Sequence, residues 1–492
     1  MTVIDGLIIA VYLIAIVAVG ILYRGRQDNI GDYFTSSHGF RGRIGTIMVG
    51  LSIGATMFSG LSFVAYPSIV YTYGVTVLSG IAFFPVAYLI LRFWFLPRYL
   101  SVPQNSPYDI IERRMGKPVR LVASVMFVML RVGWMSALIF APVIVVTAVT
   151  GLGDEWFWPL VALIGLSSTV YTVVGGIRGV IVTDAIQFLL IIAVLAATIL
   201  FVVLRIPLSF GEVTHYLRTN GDLLRFNWSL NPTQAMTVWA IAVGGGFQNM
   251  SSFTSDQMSL QRYLATGEAR PASSAFGTSI LTTILVLLML SAVGLTIGAW
   301  YSVHPAEDLP VNPDRVFPYF VATQLPIGFA GIVIAALLAA TMSSITSGIN
   351  ALSGSLLNDF VLLQGRVPPK RLLNYARLTS ACIGVAATIG AGLVDRIGSL
   401  FDIMQVLYGV FLGPLLGCMI STIFRLKVRG SIMIVALICG CLSGVWVAYS
   451  SVSNLWVSMV SCLVTLFMAF GVGRLVPRPP NVASAGQHPD SP

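Results

Sequence analysis

Residues 325–359 read LPIGFAGIVIAALLAATMSSITSGINALSGSLLND, a stretch that is apolar enough to cross a bilayer yet carries several hydroxyls. Its small and hydroxyl-bearing residues recur at intervals of three and four, so they share one face of a helix. That face consists of Ala336, Ala340, Ser343, Ser344, Ser347, Ala351, Gly354 and Ser355, whereas Leu337, Leu338, Ile345 and Leu352 lie on other faces. Small residues at this spacing let membrane helices pack closely. Hydroxyl and carbonyl oxygens are also hard ligands for cations, so this helix alone leaves a packing face and a cation site open.

The composition predicts a membrane protein with many spans. The 492 residues are 56% hydrophobic and only 10% charged, whereas a typical soluble domain has about 25% charged residues. The five cysteines lie in apolar segments and the four histidines lie outside them. Neither a disulfide framework nor an intramembrane zinc or haem site is therefore indicated. No phosphate-binding loop or HExxH motif occurs. Because the apolar segments offer no His and few acids, a membrane-embedded enzyme is disfavoured.

Apolar segments long enough to cross about 30 Å of hydrocarbon predict thirteen spans. They cover residues 4–23, 44–70, 74–97, 119–150, 156–175, 179–206, 233–255, 274–302, 317–358, 375–394, 398–424, 430–449 and 454–475. The first does not read as a cleavable signal sequence, since no Lys or Arg precedes it and Arg24 and Arg26 follow it. We therefore expect the amino terminus outside and the carboxyl terminus in the cytoplasm.

The basic residues agree with this orientation. Most of the 28 Lys and Arg residues fall on the predicted cytoplasmic side, including Arg262 in the loop after the seventh span. The predicted outer side holds only Arg205, Arg218, Arg225, Arg315 and Arg396, while Arg92 and Arg131 fall within spans. This is the bias that the positive-inside rule describes. The net charge of +9 thus reflects topology and indicates no nucleic-acid partner.

The second and seventh spans contain helix-breaking residues at matching places in two sets of five spans. Gly50, Gly54, Gly60 and Pro67 interrupt the second span, and the seventh carries three consecutive glycines, at residues 244–246. Interrupted segments at corresponding positions of two halves indicate an inverted-repeat transporter, in which broken helices expose backbone oxygens near the midplane. The alternative is ordinary glycine enrichment in membrane helices.

These features divide the chain into segments. We expect a leading helix and cytoplasmic loop (1–43), a first inverted repeat (44–206), an extracellular loop (207–232), a second inverted repeat (233–424), two terminal helices (425–475) and a disordered cytoplasmic tail (476–492). The tail is rich in Pro, Ser and Ala and carries no lipidation signal.

Several motifs resemble those of the sodium:solute symporters, which include bacterial sialic acid, proline and galactose carriers and animal sodium-coupled glucose and monocarboxylate carriers. They are DYFTSSH (32–38), SPYDIIERRMG (106–116), YTVVGGIRGVIVTDAIQ (171–187), SDQMSLQRYLAT (255–266), AALLAATMSSITSGIN (335–350) and GPLLG (413–417). The resemblance spans nearly the whole chain. It implies an all-α fold with a five-plus-five inverted repeat, one extra leading helix and, in the thirteen-span branch, two extra terminal helices.

The resemblance also implies where sodium binds. The principal site would use the carbonyls of Ala55, Phe58 and Ala340 and the hydroxyls of Ser343 and Ser344. A second site would use Asp184 with Ser343, Thr346 and Ser347. The alternative for Asp184 is a favourable interaction with the positive end of its own helix, since it lies about a turn into its span.

Arg131 indicates the solute class, because a guanidinium within an apolar span requires a partner and matches a carboxylate with two parallel hydrogen bonds. In the sialic acid branch, which this chain resembles, an arginine of the corresponding helix holds the solute carboxylate. Ser59, Ser62 and Phe247 would line the same cavity. Met57 stands where that branch has a hydroxyl, so a smaller acid is an alternative. A structural pair between Arg131 and an acid of a neighbouring helix is another.

The sequence thus predicts a multi-pass plasma-membrane symporter that is not an enzyme. It would import a small carboxylate-bearing solute, such as a sialic acid or a monocarboxylate, with Na⁺. A sodium-coupled sugar or amino-acid symporter, or a sodium-binding channel or sensor on the same fold, remains open. The expected partners are the solute, sodium and the lipid bilayer, and no obligate protein partner is evident.

Overall fold

Helices form the framework of the protein. The computed structural model describes residues 2–24, 33, 42–102, 106–207, 209–219, 223–305, 309–310, 315–357, 371–394 and 400–475, and no β-strand occurs in these ranges. The predicted disordered tail (476–492) and all of the DYFTSSH motif except Tyr33 lie outside the described residues. The Tyr33 hydroxyl contacts the carbonyl of Val173 at 3.2 Å and the Ser380 hydroxyl at 3.3 Å.

The described residues form eighteen α-helices. They are α1 Val3–Leu22, α2 Gly42–Met57, α3 Gly60–Tyr73, α4 Phe83–Ile90, α5 Leu96–Tyr99, α6 Asp109–Met115, α7 Lys117–Thr150, α8 Phe157–Arg205, α9 Phe210–Thr219, α10 Gly245–Thr254, α11 Gln257–Thr266, α12 Ala269–Val303, α13 Val316–Gln324, α14 Phe329–Ser355, α15 Leu372–Val394, α16 Leu400–Ile423, α17 Gly430–Ala448 and α18 Val457–Leu475. Within the described ranges, ten helical stretches are long and apolar enough to cross a membrane.

The interruption predicted in the second span is present. Helix α2 ends at Met57 and α3 begins at Gly60, with Ser59 in an extended conformation as the N-cap of α3. Its hydroxyl accepts a hydrogen bond from the Ser62 amide at 3.3 Å. A serine cap of this kind satisfies an amide that the new helix would otherwise leave unpaired.

The seventh span differs from its prediction. Instead of an unwound segment at the three glycines, a π-helical turn, Ala240–Gly244, leads directly into α10. The glycines serve close packing there: a Cβ on Gly246 would lie 2.6 Å from the Phe83 ring, and one on Gly244 would lie 2.5 Å from the Leu455 carbonyl oxygen. Helical hydrogen bonding therefore continues through these glycines in a widened turn.

Helix α14, which contains most of residues 325–359, lies at the centre of the molecule. It packs against α1, α2, α3, α7, α8, α11 and α15. Leu337, Leu338, Ile345 and Leu352 are buried along with the small face. The large residues of α14 therefore contact other helices, and its polar face has protein around it.

Asp5 of α1 fixes the start of α14. Its carboxylate oxygen Oδ1 accepts hydrogen bonds from the amides of Gly328 and Gly331, both at 2.9 Å. The other oxygen, Oδ2, accepts from the Thr2 amide and hydroxyl at 2.7 Å. An acid at a helix amino terminus pairs free amides and interacts favourably with the helix dipole.

We expect Asp5→Ala to destabilise the protein by about 1 to 3 kcal/mol, because it leaves buried amides without an acceptor. Thermal unfolding of the detergent-solubilised protein would show a lower melting temperature. Asp5→Asn, which keeps one oxygen, should show a smaller decrease. Asp154→Ala, at an exposed position, is the control, and equal melting temperatures for all four proteins would contradict this role.

Candidate functional site

The five residues predicted for the principal sodium site come together where the α2–α3 interruption meets α14. The Ser343 hydroxyl lies 3.5 Å from the Ala55 carbonyl oxygen, and the Ser344 hydroxyl lies 3.3 Å from that of Phe58. Both hydroxyls also approach the Ala340 carbonyl, at 3.0 and 3.3 Å. All five residues are buried. We call this cluster of five oxygens the oxygen cluster.

The break in the helix explains why the carbonyls of Ala55 and Phe58 are available. The last four carbonyls of a helix have no amide partner within it, and α2 ends at Met57. This carboxyl end also carries the negative pole of the helix dipole, which attracts a cation. The donor set consists of neutral oxygens from two elements, which suits a singly charged hard cation.

A second cluster surrounds Asp184, whose side chain is fully buried. Its Oδ2 accepts hydrogen bonds from Ser52 (2.7 Å), Arg262 (2.9 Å) and Ser347 (3.2 Å). Its Oδ1 has no hydrogen-bond partner among the described residues. The acid is thus bound to side chains of α2, α11 and α14, which differs from a simple interaction with the start of its own helix.

Arg262 is the residue that sequence reasoning misplaced. The charge count assigned it to a cytoplasmic loop, but this segment forms α11, and the guanidinium is buried with 1% of the side chain exposed. Its Nε donates to the Ser52 hydroxyl at 2.9 Å, and its Nη2 also contacts the Ser347 hydroxyl. A guanidinium therefore lies among groups that were predicted to bind a second sodium ion.

The other two residues predicted for the second site contact each other instead of Asp184. The Thr346 hydroxyl donates to the Ser343 carbonyl at 3.1 Å. Ser343 belongs to the oxygen cluster through its own hydroxyl. The structure thus brings Asp184 and Ser347 together and leaves Ser343 and Thr346 turned toward the other cluster and the helix backbone.

A cavity of about 270 Å³ lies beside the interruption, and we call it the central cavity. Residues of α3, α7, α10 and α16 line it, with Phe58 at the break. Its polar side chains include Ser62, Arg131, Gln248, Asn249, Ser252, Asp256, Gln405 and Tyr408. Thr56 connects it with the second cluster, because it lines the cavity and its hydroxyl lies 3.5 Å from that of Ser347. The remaining walls are largely apolar, as is common for a site that binds a small organic molecule.

Arg131 is in the wall of this cavity and forms an ion pair with Asp256, both side chains being 1% exposed. Its Nη1 also donates to the Tyr408 hydroxyl at 3.2 Å, and its guanidinium lies 5.4 Å from the centre of the Tyr408 ring. Its Nε has no hydrogen-bond partner among the described residues. The pairing that the sequence left as an alternative is therefore present, and one donor of the guanidinium stays uncommitted.

The other residues predicted to line the cavity divide into two groups. Ser62 lines it, whereas Ser59 is buried as the N-cap of α3 and is not part of the wall. Phe247 does not belong to its wall and lines a separate apolar groove on the opposite side of α10. Helical geometry gives the reason, because Gln248 and Ser252 lie one turn apart on the cavity side, whereas Phe247 shares the other face of α10 with Met250 and Thr254.

Asp256, Gln405 and Tyr408 were missed by sequence reasoning. Asp256 carried a signal, since it stands between an apolar segment and the polar run QMSLQR, and intramembrane acids usually line a pathway. The Gln405 side-chain oxygen has no hydrogen-bond partner among the described residues. Gln405 and Tyr408 lie in a largely apolar helix, and only their place in the cavity wall beside Arg131 reveals their role.

The family comparison agrees with this arrangement of broken helix, buried oxygens and polar cavity. A model of the sodium:solute symporter family matches residues 33–440. The chain belongs to the sodium:solute symporter family. This symporter is a multi-pass membrane protein that couples solute movement to sodium, and its relatives are transporters rather than enzymes.

Relatives of this symporter include bacterial and animal proteins. It is 28% identical to the sodium/sialic acid symporter NanT of Aliivibrio fischeri, over 89% of this chain and 86% of the relative. It is 27% identical to human sodium-coupled monocarboxylate transporter 1, over 84% of this chain and 68% of the relative.

A solved structure supports the fold. A Na⁺-coupled sialic acid symporter in a substrate-bound, outward-open state matches with a TM-score of 0.85 and 24% identity, covering 96% of this chain and 98% of that one. The all-helical transporter fold expected from the sequence is thereby confirmed at the level of architecture.

Proposed function

We propose that this symporter imports a small solute bearing a carboxylate, and the observation that carries the proposal is Arg131 in the wall of the central cavity. A buried guanidinium is costly unless paired, and Asp256 supplies that pair. The uncommitted Nε lets a solute carboxylate bind beside Asp256 or displace it. The relatives named for sialic acid and monocarboxylate transport agree with this class of solute.

Sodium would bind in the oxygen cluster, held by Ala55, Phe58, Ala340, Ser343 and Ser344. An ion there joins the α2–α3 interruption to α14, so it favours the conformation in which both elements lie close together. Because Phe58 also lines the central cavity, sodium and solute share a structural element and each raises the affinity for the other. The sodium gradient and the membrane potential supply the energy, about 2.3 kcal/mol per charge for each 100 mV.

The second sodium site would be conditional. With Arg262 hydrogen-bonded to Asp184 and Ser347, the guanidinium supplies the positive charge that the buried acid requires. A second sodium ion would enter only when Arg262 moves away, using Asp184, Ser343, Thr346 and Ser347. One sodium ion per solute is therefore the expected stoichiometry in the conformation described above.

The architecture we propose has thirteen spans, with the amino terminus outside. Helix α8 supports it, since 49 residues would extend about 74 Å if straight, more than twice the roughly 30 Å of hydrocarbon. Gly176 within α8 has φ 57 and ψ −166, a conformation open to glycine, so the chain can reverse there. The proposed architecture comprises two inverted repeats, at 44–206 and 233–424, in a plasma-membrane carrier that works without an obligate protein partner.

A zwitterionic solute such as an amino acid is the second candidate. Asp256 faces the same cavity as Arg131, so the wall presents both charges. An ammonium group of the solute could bind Asp256 while its carboxylate binds Arg131.

Uptake into proteoliposomes tests the solute class. The panel is a sialic acid, a short monocarboxylate, proline and a neutral sugar, each with sodium and with choline in its place. We expect sodium-dependent uptake of an acid by the wild type and a loss of about tenfold or more in Arg131→Ala, because a charge-assisted pair is removed. Arg92→Ala is the matched control, since Arg92 is exposed within its helical stretch.

Two outcomes would reject the proposal. If a neutral sugar is carried equally well by the wild type and Arg131→Ala, the solute does not need a carboxylate. Absence of counterflow of labelled solute would indicate a channel, because only a carrier exchanges solute across the membrane. Preference for proline over the acids would favour the zwitterion.

A further inference from the structure

A cavity rich in arginine lies away from the central cavity, at the end of the molecule predicted to face the cytoplasm. It has a volume of about 370 Å³ and is bounded by the end of α5, by α6 and by the turn after α16. Arg98, Arg114 and Arg425 stand in its wall with the hydroxyl of Ser101. We call it the arginine pocket. All three arginines are exposed. Arg98 donates from one nitrogen, Nη1, to the Trp94 carbonyl at 2.9 Å, which leaves its other donors to face a ligand.

The charge of the arginine pocket is uniformly positive. Among the described residues that line it, none is acidic. The acids of the adjoining helix α6, Asp109 and Glu112, each form an ion pair with Arg120 at 2.6 Å. Because Arg120 balances the charge of these carboxylates, they do not cancel the positive potential of the three pocket arginines. That potential favours the binding of an anion.

Arg425 occupies a position that a different residue type would fill more easily. Its φ is 55°, and among the described residues it is the only one other than glycine that has a positive φ. Its amide bonds the Thr422 carbonyl at 3.2 Å, which closes the end of α16. Glycine or asparagine is favoured at such a helix end, so an arginine there costs stability and brings its side chain to the pocket.

An apolar groove adjoins the arginine pocket. It also measures about 370 Å³ and lies between α4, α10 and α16. Ile423 and Phe424 line both spaces. Trp94 and Phe424, which are 53% and 48% exposed, stand at its opening. The Arg98 guanidinium lies 5.7 Å from the centre of the Phe424 ring, so charged and apolar walls meet at that residue.

We propose that the arginine pocket and the apolar groove together bind one anionic phospholipid. Its phosphate would lie among Arg98, Arg114 and Arg425, and one acyl chain would follow the groove. Basic pockets between membrane helices on the cytoplasmic side recognise anionic headgroups in this way. The two spaces share Ile423 and Phe424 in their walls, and this adjacency favours a lipid over a free phosphate, because a soluble anion would leave the groove unused.

A lipid in this place would contact helices that also line the central cavity. On α10, Met250 faces the groove while Gln248 faces the cavity. On α16, Leu416 faces the groove and Tyr408 faces the cavity. Occupancy of the groove therefore stabilises one relative position of α10 and α16, and anionic lipid should change the rate of transport as well as bind.

Native mass spectrometry of the full-length protein in detergent tests the proposal, with phosphatidylglycerol and phosphatidylcholine as probes. We expect the wild type to bind phosphatidylglycerol at least about tenfold more tightly. The variant Arg98→Gln/Arg114→Gln/Arg425→Gln should lose this preference. The control Lys117→Gln/Arg270→Gln/Lys427→Gln removes three exposed basic residues outside the pocket and should keep it. If both triple variants prefer phosphatidylglycerol over phosphatidylcholine to the same degree, the arginine pocket is not the binding site.

A fourth variant separates a lipid from a soluble anion without touching the arginines. Ile420→Trp fills part of the groove and should weaken the binding of phosphatidylglycerol. If it binds as tightly as the wild type, and glycerol 3-phosphate displaces the lipid from the wild type, the pocket takes a soluble phosphate and the lipid assignment is wrong. Faster uptake in vesicles containing phosphatidylglycerol, lost only in the pocket variant, would support the link to transport.

Discussion

Alanine at Ser343 or Ser344 is expected to raise the sodium concentration for half-maximal uptake by roughly ten- to one-hundredfold. Each substitution removes one of two hydroxyls that converge on the carbonyls of Ala55, Phe58 and Ala340. An interaction between a charge and a polar group contributes about 1.5 to 3 kcal/mol, and 1.4 kcal/mol corresponds to a factor of about ten. Initial rates of uptake into proteoliposomes, measured as sodium replaces choline, give the value directly.

Ser353→Ala is the matched control for this measurement. Ser353 is a buried serine of the same helix, and its hydroxyl bonds the Ile349 carbonyl and accepts from Ser380, away from the oxygen cluster. It should leave the sodium dependence near that of the wild type. An unchanged sodium dependence in both Ser343→Ala and Ser344→Ala would remove sodium from the oxygen cluster, and an equal shift in the control would point to general damage of α14.

The parts of the site that could be predicted from the sequence depend on local patterns. Hydroxyls on one face of α14 follow from helical periodicity, and the interruption between Met57 and Gly60 follows from its glycines. Each of these properties is determined by a short segment of sequence, so it can be predicted without knowing the rest of the fold. The contact between the two segments came only from the family resemblance.

The parts that could not be predicted depend on which side chains meet across the fold. Arg131 and Asp256 are far apart in sequence, and so are Asp184 and Arg262, yet each forms a buried ion pair. Charge counting assigns an arginine between apolar segments to a loop, which failed for Arg262 because α11 inserts into the body. Phe247 was assigned to the cavity because it lies on the interrupted seventh span, although helical rotation turns it to the groove.

Arg262→Ala is expected to destabilise the protein by about 3 to 5 kcal/mol, because it leaves the Asp184 carboxylate buried without its cation. Asp184 is fully buried and loses the bond from Nη2 at 2.9 Å. The thermal melting temperature of the solubilised protein should fall sharply, and uptake should fall with it. Arg270→Ala, at an exposed position near the start of α12, is the control and should melt with the wild type.

The double variant Asp184→Asn/Arg262→Gln distinguishes loss of charge balance from loss of packing. Because it removes both charges, most of the lost stability should return, and the melting temperature should exceed that of Arg262→Ala. If the double variant is as unstable as Arg262→Ala, the guanidinium acts through its packing and its bonds to Ser52 and Met258.

The response of the melting temperature to sodium tests whether the cluster around Asp184 binds a second ion when Arg262 is absent. In Arg262→Ala the Asp184 carboxylate and the Ser347 hydroxyl face the space that the guanidinium leaves, and Asp184 Oδ1 is already without a hydrogen-bond partner among the described residues. A small cation entering that space restores charge balance, and any ligand that binds only the folded state raises its stability. Replacing choline by sodium should therefore raise the melting temperature more in Arg262→Ala than in the wild type. It should do so less in Asp184→Asn/Arg262→Gln, where no charge remains to attract the ion. An equal response of all three proteins would mean that only the oxygen cluster binds sodium, and that Asp184 is the fixed partner of Arg262.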